Sequence, residues 1–204
     1  MDHALLTKRP GGRLTVFMPV LIIFFVIVLA GGSHSVQAQT NATGETYSKS
    51  EIAQAMEGFF AQASEVVASA VEGIFDRYGR PNGYIQGEEG SAAFFVGLRY
   101  GEGTLHLKSG PTRFVYWQGP SVGWDFGANA AKVFTLVYNL NDVDRLYQRF
   151  PGVDGSLYVI GGLSINAQRS QDITLVPIRS GVGLRLGANV GYLQYTKEQG
   201  INPF

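Results

Sequence analysis

The hydrophobic pattern of the chain changes character near residue 83, and that change limits the fold more than any other feature of the sequence. Before it, Ile52, Ala55, Met56, Phe59, Phe60, Ala63, Val66, Val67, Ala70, Val71, Ile74, Phe75 and Tyr78 recur at helical spacing, with Gln54, Glu57, Glu65 and Glu72 between them. One amphipathic face follows from such spacing. Ser48-Lys49-Ser50-Glu51 reads as a capping box with Tyr47 and Ile52 at the staple positions, and Gly79-Arg80-Pro81-Asn82-Gly83 as a stop. The expectation is one long helix over 48–79, which Gly58 and Gly73 could bend or divide.

Beyond residue 83 the apolar runs are short, β-branched and aromatic: Ala92–Tyr100, Thr104–Lys108, Arg113–Gln118, Lys132–Tyr138, Ser156–Ile160, Leu163–Gln168, Ile173–Ile178, Gly183–Leu186 and Val190–Thr196. Glycine-bearing stretches such as Tyr100-Gly101-Glu102-Gly103 and Gly161-Gly162 read as turns between them, giving about nine or ten antiparallel strands. Asn141–Phe150 reads as a short helix capped at Asn141 and stopped by Pro151-Gly152. Val133–Tyr138 is apolar on both faces, so it must be covered twice, by a barrel interior and by the long helix. Glycine within and beside strands permits sharp curvature. The predicted fold is therefore mainly β with α: a small soluble, closed or nearly closed antiparallel β-barrel-like domain carrying one long N-terminal amphipathic helix and one short helix.

The first 38 residues have a different purpose. Lys8, Arg9 and Arg13 precede an uncharged apolar run, Leu14–Gly32, and Val36-Gln37-Ala38 offers small residues at a cleavage site. These are the parts of a secretory signal, predicted here to be cut after Ala38. The alternative is an uncleaved inner-membrane anchor at 14–32, since the run approaches the ~20 residues that span a bilayer; Pro19 and the small-polar tail favour cleavage. Residues 39–46 read as a disordered leader, leaving a single domain at 47–204. Positive charge before the apolar run holds the N-terminus inside and sends the rest out of the cytoplasm.

Without the signal, 13 basic and 15 acidic residues remain of 16 and 16, a net charge of −2. No polycationic surface exists to neutralise phosphates, so nucleic acid is not an expected partner. Cysteine is absent, which rules out disulfides, thiol catalysis and thiolate metal sites. The exported part keeps one histidine, His106, with no nucleophile elbow of the Gly-x-Ser-x-Gly type, and it reads as a solvated strand residue. Glu88-Glu89, between Gly87 and Gly90, reads as a solvated turn; two adjacent carboxylates could serve as acids or ligands, but strand neighbours point to opposite sides. Asn139, Asn141, Asp142 and Asp144 lack the glycine and terminal glutamate of a calcium loop and read as caps. Gly181–Gly187 is not a dinucleotide fingerprint, because no strand-turn-helix unit surrounds it. No catalytic residue, metal site or cofactor is predicted. One cluster stands out, Tyr116–Gly127, where Tyr116, Trp117, Trp124, Asp125 and Phe126 either pack a core or line a ligand pocket with one polar group.

Longer stretches carry a resemblance. Arg80–Glu89, Val96–Leu105, Trp117–Gly127, Phe150–Ser156 and Val176–Tyr192 resemble, in order, the signatures of the alphaproteobacterial envelope integrity protein A family over the whole exported chain. That resemblance implies a periplasmic, soluble, conical β-barrel-like domain that supports envelope integrity without known enzymatic activity. A fainter similarity, in Gly123–Asn129 and Ser180–Gly187, is to the lipid-binding SYLF domain and implies phospholipid contact. Together they imply a non-enzymatic envelope protein that binds a lipid, glycan or protein component. The alternatives are an outer-membrane β-barrel, suggested by the strand count and terminal Phe204, and an enzyme modifying envelope glycans or lipids.

Overall fold

The structure, a computed structural model, describes residues 45–94, 96–121, 130–180 and 191–200. The export signal at 1–38, nearly all of the leader and the strand predicted at Gly183–Leu186 lie outside these. Two helices open the domain. α1, Lys49–Phe60, begins with the predicted capping box: the Ser48 hydroxyl accepts from the Glu51 N–H, and the Glu51 carboxylate accepts from the Ser48 N–H. α2, Ser64–Tyr78, follows after a break that falls at neither glycine. The break is at Ala61, which takes a left-handed conformation at φ 53° and returns its N–H to the Glu57 carbonyl. The long helix is thus divided by a turn that lets both halves keep their apolar faces on one curved surface.

The strands are β1 Gly83–Phe94, β2 Val96–Leu107, β3 Arg113–Ser121, β4 Ala131–Tyr138, β5 Arg149–Pro151, β6 Tyr158–Ile160, β7 Leu163–Ile165, β8 Gln168–Ser170, β9 Ile173–Ser180 and β10 Tyr192–Thr196. They form one antiparallel sheet in the order β5-β10-β3-β2-β1-β4-β9-β7-β6, with β8 also paired to β9. Gly152, just after β5, bridges Gln168 at the start of β8, so pairing joins the two sides of the sheet into a ring at that end. Towards the other end β9 turns to β7 instead, with Leu163 opposite Ser180.

Two predicted features differ in kind. Residues 87–90 and 100–103, read as turns, lie inside β1 and β2, which pair continuously from Gly83 opposite Leu107 to Phe94 opposite Val96. Glycine marks close approach here, not chain reversal. The helix predicted at Asn141–Phe150 is a single 3-10 turn, Val143–Leu146, capped by Asp142 accepting from the Asp144 N–H at 3.0 Å, and Arg149–Pro151 has already become β5.

The domain has two cores, one on each side of the same strands. Phe134, Leu136 and Tyr138 of β4 and Val176 and Ile178 of β9 meet Ile52, Met56, Phe60, Val67, Val71 and Ile74 of the helices. The alternate residues Val133, Val137, Ile173 and Leu175 join Ile85, Leu105, Val115, Trp117, Leu193 and Tyr195 in the barrel interior, which Leu140, Leu146 and Phe150 complete. β4 is therefore covered twice, as its unbroken apolar run requires. Among the described residues no side chain of β2, β3 or β10 joins the helix-side core.

Candidate functional site

Period-two alternation in β1 decides what its acidic pair does. Ile85, Gly87 and Glu89 face the interior, whereas Gln86 and Glu88 face out. The reading of Glu88-Glu89 as a solvated turn fails in its turn, since both lie in β1, and its solvation holds for Glu88 alone; Glu89 is 6 % exposed. Trp117 donates its indole N–H to Glu89 Oε2 at 3.0 Å, and Arg179 Nε donates to Oε1 at 3.1 Å. Arg99 Nε lies 3.2 Å from the same oxygen, and Arg179 Nη1 donates to Asn166 Oδ1 at 2.6 Å. Burial pushes the Glu89 carboxyl up, but Arg179, then Arg99, and the hydrogen bonds from Arg179 and Trp117 outweigh it and hold the group below its ordinary range. Glu89 is an ionised, fully engaged carboxylate, not a free acid or base.

Glycines make room for this arrangement. A Cβ on Gly87 would stand 2.7 Å from Gly103 Cα and 2.8 Å from the Trp117 ring, and one on Gly101 would enter the indole itself. The slot so formed carries the indole across the interior to the carboxylate, with the Tyr195 ring 5.9 Å beyond.

The outer face of the same strands forms a cavity of about 270 Å³. Register sets its lining in two rows. Glu88 stands opposite Glu102, which stands opposite Tyr116, which stands opposite Thr196; in the next row Gly90 faces Tyr100 and Tyr100 faces Gln118. Gln199 and Gly200 border it past β10, and the buried Gln118 forms part of the wall. Glu88 and Glu102 are exposed. The cation across from Glu88, Lys132, donates instead to the Phe59 carbonyl at 2.9 Å and lies 5.5 Å over the Phe59 ring. Among the described residues no Lys, Arg or His lines the cavity.

Of the residues singled out by sequence, Tyr116 and Trp117 both border this cavity, from opposite faces of β3. Trp124, Asp125 and Phe126 lie outside the described residues. His106 is half-buried and stacks on Tyr84 at 4.9 Å, and burial lowers its pKa. Among the described residues no group of three His, Cys, Asp or Glu side chains could hold a metal ion. Sequence reading missed Glu89, Arg99, Arg179, Tyr100, Glu102 and Gln118. The signal that could have found them is glycine at alternate positions, Gly87 with Glu89 and Gly101 with Gly103, standing in for the apolar inner face of a strand.

The family model described as "Envelope integrity protein A" matches residues 45–204. Among solved structures, a crystal structure described as a beta-barrel-like, uncharacterized protein from Brucella abortus is 49 % identical. That match covers 79 % of this chain and 100 % of the other, with a TM-score of 0.72. No curated protein matches the chain.

Proposed function

The chain belongs to the envelope integrity protein A family, and from that premise we propose that it is an exported periplasmic protein that maintains the cell envelope by binding, not by catalysis. The observation that carries this reading is the cavity on the outer face of β1, β2, β3 and β10. Among the described residues Ile85, Leu105, Val115, Trp117, Leu193 and Tyr195 pack together in the barrel interior. α1 and α2 cover the outer face of β4 and β9. This reading assigns recognition to the outer cleft, lined by Glu88, Tyr100, Glu102, Tyr116, Gln118 and Thr196.

The outer face also speaks against a membrane-spanning barrel, whose outward residues form an apolar band about 25 Å tall. Here the outward positions of β2 are Tyr100, Glu102, Thr104 and His106, and the apolar outer positions of β4 and β9 are taken by α1 and α2. Among the described residues no helix is long and apolar enough to cross a membrane. Catalysis is disfavoured by the engagement of the buried carboxylate and the stacking of His106.

Native mass spectrometry of the purified protein, before and after delipidation, tests the reading. A bound mass that is lost on replacing Tyr116 or Glu102 supports it. Turnover of envelope glycans or lipids that collapses on replacing His106 or Asp125 would overturn it in favour of an enzyme. Release by osmotic shock, against retention with membranes, decides between the exported domain and an anchor at 14–32.

A further inference from the structure

We infer that the edge of β6 pairs with a second copy of this chain about a twofold axis at Val159, so that one sheet continues into the other and α2 lies beside its counterpart.

The strand comes first. β6 ends the sheet order, and among the described residues no strand pairs its far edge. Its hairpin with β7 closes through Gly161 and Gly162, whose φ of 55° and 84° are those of a tight two-residue turn. The pair flanking such a turn, Ile160 and Leu163, exchanges hydrogen bonds, so the next pair, Val159 and Ser164, does not. Ser164 turns its backbone groups to Arg179 of β9, as Asn166, on the same side of the strand, does in donating to the Pro177 carbonyl at 3.2 Å. Val159 turns its N–H and C=O to the open edge, and its side chain is 40 % exposed. Sheet edges are guarded by charge, proline or a covering element. At the other end of the order β5 has Arg149, Pro151 and the bridge from Gly152 to Gln168, whereas β6 has only Tyr158, Val159 and Ile160.

Symmetry then chooses the partner. A residue that offers both backbone groups outward can pair with itself across a twofold axis, each Val159 N–H donating to the other copy's Val159 carbonyl. So short a strand makes too small a contact alone for a specific interface, and α2 supplies the rest. It runs beside β6: a Cβ on Gly161 would stand 2.3 Å from Val66 Cγ1, one on Gly73 would stand 3.9 Å from the Tyr158 hydroxyl, and the Arg77 guanidinium lies 5.9 Å over the Tyr158 ring. From Tyr158 to Gly161 the strand advances about 10 Å, which is about seven residues of helix, the step from Gly73 back to Val66. Val159 is therefore level with Val71. Glu65 and Arg77 are exposed and lie equally far along α2 on either side of Val71. The axis at Val159 thus brings Arg77 of each copy level with Glu65 of the other, and Ser69 level with Gly73, where small residues let the helices approach. Among the described residues neither Glu65 nor Arg77 has an ion-pair partner in its own chain. An unrelated extended peptide on this edge would leave both charges unanswered; a second copy meets them.

Sedimentation velocity of the purified protein over about a hundredfold range of concentration should show monomer passing into dimer. Val159→Lys sets two like charges across the axis and should weaken the dimer about tenfold or more, while the dilute monomer melts at the parent temperature because the side chain is exposed. Arg77→Glu should weaken it roughly three- to tenfold, and adding Glu65→Arg to the same chain should restore it, since the pair is then reversed on both sides of the axis. In cells, a benzophenone amino acid in place of Val159 should cross-link one copy to another. A single monomeric species at every concentration, a dimer that Val159→Lys leaves intact, a charge reversal that the second reversal does not rescue, or cross-links only to a different protein would overturn the inference. The outer cleft lies on β1, β2, β3 and β10, so ligand binding there stands or falls separately.

Discussion

Replacing Glu89 by glutamine tests whether the interior cluster is a structural lock. The change keeps the shape of the side chain but puts amide N–H groups where two guanidinium groups also donate. The amide oxygen of the Glu89→Gln variant could still accept from the Trp117 indole, now 3.0 Å from Glu89 Oε2. It could not neutralise Arg99 and Arg179, whose side chains are 19 % and 14 % exposed. Removing one partner of a buried ion pair costs about 3–5 kcal/mol because the remaining charge stays buried. For a domain of this size that is a fall in melting temperature of roughly 6–20 °C, out of a total stability of about 5–15 kcal/mol. Urea unfolding with an unchanged slope would measure it. The pH dependence supplies a second reading. Because the folded pKa lies below the ordinary value of 4.5, the stabilisation is fully present above that pH and is lost as pH falls through the folded pKa. The gap between parent and variant should accordingly be constant near neutrality and close below about pH 4.5. A loss under about 1 kcal/mol, or a gap that does not narrow in acid, would refute the lock.

Three other substitutions follow from the backbone and the buried polar groups. Gly101→Ala should cost about 2–4 kcal/mol, since its Cβ would enter the indole ring and the Trp117–Glu89 bond would be lost with it; a shifted tryptophan emission in the folded variant would report the displacement. Ala61→Gly should stabilise the protein by about 0.5–1 kcal/mol, because the exposed Ala61 holds φ 53° between α1 and α2, where a Cβ is strained; differential scanning calorimetry would show the rise. Tyr138→Phe should be neutral or stabilising by about 1 kcal/mol, since the hydroxyl is buried beside α2 and has no hydrogen-bond partner among the described residues; denaturant unfolding would show a loss instead if the hydroxyl were bonded.

What could be read from the sequence depended on whether a residue's local pattern and its tertiary role agreed. Ser48 and Glu51 announce a helix start that exists, because a capping box is satisfied within four residues. Val133–Tyr138 announces double coverage, and β4 has it, because no other environment accepts an apolar run on both faces. Gly101 and Gly103 misled for the opposite reason. Locally a glycine pair is a turn signal, and only the indole of Trp117 and the facing Gly87 explain why these two are mid-strand. The helix break failed similarly: Gly58 and Gly73 looked like the weak points, but the chain turns at Ala61, and both halves pack into one core with β4 and β9. As for the site, Tyr116 and Trp117 were visible as aromatics. Glu89 was not, because its significance lies in Arg99 and Arg179, and Arg179 is distant in sequence and reaches it only through the pairing of β1 with β4 and β4 with β9.

The adjacency of Glu88 and Glu89 links the two sides of the sheet. A carboxylate that is to stay charged and available on an outer face needs its strand held still, or the opposed Glu102 will push it aside. One residue along, Glu89 is tied to β2 through Arg99, to β3 through Trp117 and to β9 through Arg179. Those ties hold the strand segments that carry Glu88, Tyr100, Glu102 and Tyr116 at a fixed spacing. Period-two geometry thus divides two chemically identical side chains between two tasks, Glu89 fastening the strands from within and Glu88 presenting charge without. If so, weakening the inner tie should loosen the outer cleft. Arg179→Gln, which removes the bond from β9 to Glu89, should lower the cleft-dependent bound mass seen by native mass spectrometry several-fold, and the double variant Arg179→Gln with Glu102→Gln should lose less than the two separate losses combined.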